Sequence, residues 1–344
     1  MQKMMISVTL IATLVATHSL GAERINIVTT TADLASIAQY IAGNLAKVTS
    51  LCPGNQDPHY LQVRPSLMMA ARDADLWIRV GMELEIGWEG PVLDGCRNPR
   101  IRPGLPGHLD ASMEVLKLEV PAQRVTREFG DVHPQGNPHY WLDPYNGRIV
   151  ARTIAQRLSS LFPAYQEEFY ANLEGFCREL DRRMFGDELV GQFDPNELWR
   201  RQIDGTLDSF LAEQGKAELL GRWLGTMRPF RGQKIVTYHR SWVYLANRFG
   251  LQVVAELEPK PGIPPSPRHL EQVAELIKQQ GVRLVLQEPF YSTKAGKWIC
   301  DRTGAKLLVV ANSVGGQGQA KDYLSLIDLI VRQICDSLGS DRHG

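Results

Sequence analysis

The stretch KIVTYHRSWVYLANRFGLQVVAE, residues 234–256, reads as a strand, a helix and a second strand. Lys234 to Tyr238 is a strand ending at His239, Ser241 to Phe249 is a helix closed by Gly250, and Gln252 to Glu256 is a strand again. The same order continues downstream. Ser266 to Gln280 is a helix closed by Gly281, Val282 to Gln287 is a strand running into Glu288-Pro289, and Thr293 to Arg302 is a helix ending near Gly304. Lys306 to Val310 is a further strand and Asp322 to Leu338 a final helix. Repeated strand, loop and helix argue for a parallel sheet with helices on its faces.

Upstream the pattern appears a second time. Ile25 to Thr30 is a buried strand, and the helix after it carries Leu34, Ile37, Ala38 and Ile41 before Gly43-Asn44. Lys47 to Leu51 is a short strand, a helix begins near Pro65, and Asp75 to Val80 is a third strand. The chain therefore reads as two similar α/β lobes with parallel sheets and flanking helices, residues 23–160 and 231–344. At the end of the first lobe a helix runs from Asn146 to Leu161, Pro163 interrupts, and a second helix carries Tyr165, Phe169, Leu173, Phe176, Leu180 and Met184. That second helix, within residues 161–186, is roughly 30 Å long and suits a stiff link between lobes. Residues 187–230 read as a helical insertion with no assigned chemistry, and residues 97–138 as irregular connections with one or two short strands, including Gly130–Gly136.

With 344 residues the chain has room for two cores, and 38 basic residues balance 38 acidic ones. That balance offers neither a nucleic-acid footprint nor an acidic-substrate funnel. The first residues place a Lys before an apolar run from Met5 to Ala16, with small residues at Ser19, Gly21 and Ala22. This is the layout of a secretory signal peptide over residues 1–22, too short to span a bilayer comfortably. No Cys follows the run closely, so the expectation is a soluble mature chain without an N-terminal lipid anchor. Cys52, Cys96, Cys177, Cys300 and Cys335 lack C-x-x-C spacing. In an oxidising compartment Cys52 with Cys96 and Cys300 with Cys335 are the candidate pairs.

Three histidines share a constrained setting. His59 lies in Asp57-Pro58-His59-Tyr60, His139 in Asn137-Pro138-His139-Tyr140-Trp141, and His239 at the end of the strand that opens this section. In parallel sheets ligands bind outside the carboxyl ends of the strands, where His59 and His239 fall. Three imidazoles suit a borderline-soft cation such as zinc. His133 reads as a solvated loop histidine, with a second reading in which it reaches the same metal or helps load it.

DPHYLQVRPS (57–66), NPHYWLDP (137–144) and TYHRSWVYLANRFGLQVV (237–254), in this order, resemble the metal-binding solute receptors of bacterial ABC importers, the zinc and manganese periplasmic binding proteins. The resemblance covers nearly the whole mature chain apart from about residues 187–230. It implies two lobes joined by one long helix, with the metal in the interlobe cleft, held by His59, His139 and His239. It further implies a periplasmic monomer that delivers Zn2+, with Mn2+ or iron as alternatives, to a membrane permease. An imidazole at the third position, where manganese receptors tend to carry a carboxylate, favours zinc. The fourth position departs from the family pattern: Asn312 stands where an Asp is frequent, so the site closes with Glu288 or with a water. Glu288 is the favoured ligand, and a hydrogen bond to a ligand histidine is its other role.

Two other functions remain on the table. A zinc hydrolase would need an open coordination position and a base, for which no H-E-x-x-H spacing is present. An adhesin reusing the fold would bind zinc incidentally.

Overall fold

The structure, a computed structural model, describes residues 24–122, 133–260 and 262–339. The expected signal peptide, residues 1–22, lies outside them.

The first half alternates strand and helix in the expected order. Strand β1 (Ile25–Thr31) is almost wholly buried, as its Ile, Val and Thr content favours. Helix α1 (Ala32–Ala42) lays Leu34, Ile37, Ala38 and Ile41 against it, a one-face stripe at helical spacing. Then follow β2 (Ala46–Cys52), α2 (Pro65–Arg72), β3 (Leu76–Arg79), α3 (Glu89–Cys96) and β4 (His108–Asp110). All pairings are parallel, in the order β2-β1-β3-β4. The expected strand at Gly130–Gly136 is not found in its described part, since His133 to Gly136 form a turn closed by Gly136 N–H donating to the His133 carbonyl. Gly130 to Val132 lie outside the described residues.

Helix α4 (Pro144–Leu161) starts at a Pro whose missing N–H costs nothing at the first helical position, with Asp143 capping the Tyr145 amide. After a turn at Pro163, α5 (Gln166–Phe185) runs for 20 residues. It packs on α1 and α4 and on a later helix at Arg222–Met227. Residues 187–230 form four short helices: α6 (Asp187–Gln192), α7 (Pro195–Ile203), α8 (Leu207–Glu213) and α9 (Arg222–Met227). Helices α8 and α9 do not run together, because the chain breaks at Gly215, whose φ of 63° is left-handed.

The second half repeats the first: β5 (Lys234–Thr237), α10 (Val243–Phe249), β6 (Gln252–Glu256), α11 (Pro267–Gln280), β7 (Leu284–Gln287), α12 (Lys294–Thr303), β8 (Lys306–Val309) and α13 (Tyr323–Gly339). Its sheet is again all parallel, β6-β5-β7-β8, the same permutation as the first. In each sheet the connections turn opposite ways on the two sides of one strand pair, β1/β3 and β5/β7. Loops leaving such a switch point open a crevice at the strands' carboxyl ends.

The lobes do not keep separate cores. One hydrophobic cluster runs from Ile25 and Ile37 through Trp141, Phe176 and Trp199 to Leu245, Ile327 and Leu338, with a smaller cluster on the outer face of each lobe. Buried polar contacts reinforce this seam. Asp143 takes both Nε and Nη2 of Arg248, each at 2.7 Å, with both side chains almost fully buried. Asp33 accepts from the Ser313 hydroxyl at 2.6 Å and the Val314 amide at 3.0 Å.

All five thiols are free, so neither suggested disulfide forms. Cys96 Sγ instead donates to the Leu93 carbonyl at 3.2 Å, Cys52 lies near the Pro53 and Gln56 carbonyls, and Cys335 sits against Met227 Sδ at 3.3 Å.

Candidate metal centre

His59 and His139 are set by the same local device. Asp57 and Asn137 each stand two residues before a histidine, with a Pro between, and each turns its side-chain oxygen back onto that histidine. Asp57 Oδ1 accepts from the His59 amide at 3.0 Å and lies 2.8 Å from its Nδ1. Asn137 Oδ1 accepts from the His139 amide at 3.0 Å and lies 2.9 Å from its Nδ1. The Asx side chain thus closes a short turn and holds the imidazole with one oxygen. His239, at the carboxyl end of β5, is held from further away: its Nδ1 lies 2.7 Å from Glu258 Oε2, on the loop after β6.

These contacts fix the tautomers. A carboxylate can only accept, so Nδ1 of His59 and His239 carries the proton. Asn137 Nδ2 reaches two acceptors, the Arg240 carbonyl at 2.7 Å and Glu119 Oε2 at 2.9 Å, so its oxygen is the atom facing His139. Each imidazole therefore presents Nε2 with a free lone pair. The three ring centroids form a near-equilateral triangle of 5.2, 5.3 and 5.5 Å. One ligand nitrogen from each lies within 4.8 Å of the other two, the sole such cluster among the described residues. The rings are buried, and His59 Nε2 has no hydrogen-bond partner.

Glu288 is not part of that cluster. It follows β7, beside the β5 end that carries His239, and is fully buried. Its Oε1 accepts from the Ser241 hydroxyl and its Oε2 has no partner. The backing role toward a histidine that the sequence allowed for Glu288 is filled by Glu258. Asn312 lies nearby in topology, after β8; its carbonyl accepts from Trp141 Nε1 at 2.8 Å and its Oδ1 is buried without a partner. His133 is half-buried rather than solvated, its ring 5.4 Å from that of His59, because the turn at His133–Gly136 folds back to the pair Asn137-Pro138.

Charge is distributed to suit a cation. Burial, with the charges of His59, His239 and His133, holds His139 well below the ordinary imidazole value. For His239 burial acts the same way, but the Glu258 hydrogen bond and the charges of Glu288, Glu258 and Asp57 outweigh it and leave the value raised. Burial would raise Asp57, yet its bonds and charge contact with His59 bring it down to about 2. Burial pushes Glu288 up to about 7 against the pull of His239 and Ser241. Buried carboxylates around neutral imidazoles are stabilised once a divalent ion sits among them.

The family model of the zinc-uptake complex component A, periplasmic (ZnuA), matches residues 27–183 and 217–337, the greater part of the chain. The chain belongs to this family. Among ZnuA-family relatives, the iron-binding protein YfeA of Yersinia pestis is 26% identical over 327 residues, covering 92% of this chain and 88% of that protein. The high-affinity zinc uptake system protein ZnuA of Brucella abortus (strain 2308) is 24% identical over 200 residues, 58% of this chain and 48% of that protein. The manganese ABC transporter substrate-binding lipoprotein PsaA of Streptococcus mitis is 26% identical over 163 residues, 46% of this chain and 49% of that protein. The match thus spans about half the length of the last two. A crystal structure of ZnuA superposes with a TM-score of 0.68 at 21% identity, covering 91% of this chain and 99% of that one, which shows the two-lobe fold. The chain is a metal-binding substrate-binding protein of the zinc, manganese and iron ABC-importer type, and the family's members are receptors rather than enzymes. The hydrolase reading gives way to it.

Proposed function

We propose that this chain captures Zn2+ in the periplasm through Nε2 of His59, His139 and His239, with Glu288 as the fourth donor, and delivers it to the membrane permease of an ABC importer. The observation that carries this reading is the backing of all three histidines at Nδ1, which leaves three Nε2 lone pairs around one point. Three neutral nitrogens and one carboxylate suit zinc better than manganese, whose preference runs to oxygen donors. Glu288 enters through its unpartnered Oε2; Asn312 Oδ1 or a water is the alternative donor. Secretion through a signal peptide over residues 1–22, lobes at 23–160 and 231–344, an insertion at 187–230 and action as a monomer belong to the same reading.

Competitive titration with zinc, manganese and ferrous iron on the mature chain, His239→Ala and Glu288→Ala tests it. One zinc per chain, lost in His239→Ala and weakened in Glu288→Ala, supports the four-donor site. Unchanged affinity in Glu288→Ala removes that residue from the ligand set. Retention of manganese or iron with no hold on zinc overturns the zinc assignment.

A further inference from the structure

The two histidines of the N-terminal lobe are each backed by a side chain that the C-terminal lobe holds. Asp57 supports His59 with Oδ1, and its Oδ2 accepts from the Tyr291 hydroxyl at 3.0 Å. Asn137 supports His139 with Oδ1, and its Nδ2 donates to the carbonyl of Arg240, the residue after His239, at 2.7 Å. The Asn137 carbonyl in turn accepts from the Tyr244 hydroxyl of α10 at 2.8 Å. Glu258, which backs His239, belongs to that histidine's own lobe. The arrangement is one-sided: the C-terminal lobe fixes its own ligand internally and also reaches across to both ligands of the other lobe.

We propose that Tyr291 and Asn137 are positioning residues that couple the contact between the lobes to the orientation of His59 and His139. This rests on the reading of the three histidines as the metal site. While the lobes touch, both oxygens of Asp57 are engaged and both Nδ2 hydrogens of Asn137 are used, so neither side chain can rotate and each Nδ1–H has a fixed acceptor. Separation at the Tyr291 and Arg240 contacts frees both backing groups together. A bound ion then loses His239 by displacement and loses the alignment of His59 and His139 in the same event, so release is cooperative with lobe movement. Outer partners of ligating histidines generally matter by 10- to 100-fold in affinity. The ring of Tyr291 is stacked on Tyr238, centroids 4.4 Å apart, and lines an interlobe cavity of about 660 Å3 together with Asp57 and Glu258. Loss of the hydroxyl alone therefore leaves the ring's packing in place.

The test uses the full mature chain with zinc as probe. Tyr291→Phe is expected to release zinc about 10-fold faster than the parent. In nitrogen NMR of the metal-free protein it should perturb the ring signals of His59 and leave those of His239 unchanged. Asn137→Ala should do the same for His139. Arg240→Ala keeps the backbone carbonyl that Asn137 binds but removes the ion pair to Glu119, the second acceptor of the Asn137 amide, and should speed zinc release less than Asn137→Ala does. Parental release rates in both Tyr291→Phe and Asn137→Ala, or equal disturbance of all three histidines, overturns the coupling. Fast release in Arg240→Ala equal to that in Asn137→Ala overturns the role given to the amide. A parent chain that binds no zinc overturns the metal-site reading and the coupling with it, whereas a zinc-binding parent with indifferent variants sinks the coupling alone.

Discussion

His139 and His239 are both buried, yet they face opposite proton equilibria, and this decides how the site responds to pH. The depressed value of His139 keeps it neutral, so a metal displaces no proton there. His239 is raised by its carboxylate neighbours, so as pH falls its Nε2 is the first of the two to take up a second proton, one that an incoming ion must expel. The sign follows by linkage. In the metal-free fold the protonated His239 adds stability that is fully present below the ordinary value of about 6.5 and is lost as pH rises through its raised folded value. Metal affinity runs the other way, increasing as pH rises through that range. Competitive zinc titrations at pH 5 and pH 7.5 should show weaker binding at pH 5, and equal affinities would count against imidazole ligation. Asp57→Asn offers a second check at this scale. It removes a charge but keeps an oxygen for His59, so a moderate loss of affinity is expected where Asp57→Ala loses more.

The loop after β2 carries His59 and presses on the loop after β8, and Gly54 is the point of closest approach. A Cβ built there would lie 1.9 Å from the Val314 carbonyl oxygen and 2.7 Å from the Gly316 nitrogen, both backbone atoms that cannot rotate away. Gly54→Ala should therefore push the two loops apart, lowering both thermal stability and zinc affinity; urea unfolding and titration on the same sample measure the two effects. The N-terminus of α4 is a second such joint. Asp143 caps it while holding Arg248 of α10, whose guanidinium also lies 5.6 Å from the Trp199 ring of α7. Arg248→Ala strands a buried carboxylate and should cost about 3–5 kcal/mol in unfolding free energy. A loss under about 1 kcal/mol would mean that water reaches Asp143 and the seam is looser than its burial indicates.

Across the whole molecule, one core passes through both lobes, and the three clustered histidines are divided between them two to one. Zinc should consequently stabilise the chain as a unit. At free zinc about 1,000 times the dissociation constant the gain is about 4 kcal/mol, read as a rise in melting temperature. That gain should vanish in His239→Ala, which removes the sole C-terminal-lobe histidine of the cluster, and should be larger at pH 8 than at pH 5.5 because of the His239 proton. A zinc-induced rise that survives His239→Ala would place the ion within one lobe.

Sequence alone determined the alternation of strand and helix, because a buried parallel strand and a one-faced helix each leave a local hydrophobic period. It likewise marked His59 and His139, since Asp-Pro-His and Asn-Pro-His are short-range devices whose turn chemistry is complete within three residues. The same signal held the backing roles of Asp57 and Asn137, once the repeat of an Asx two residues before each histidine is taken as a hydrogen-bonding pattern. Glu258 and Tyr291 left no such trace. They stand 19 and 234 residues from the groups they bind, so only the folded chain brings them there. The shared core, the free thiols and the half-buried His133 were likewise decided by tertiary packing. Each depends on which loops meet across the two sheets, and that meeting is a property of contacts between distant residues rather than of any local period.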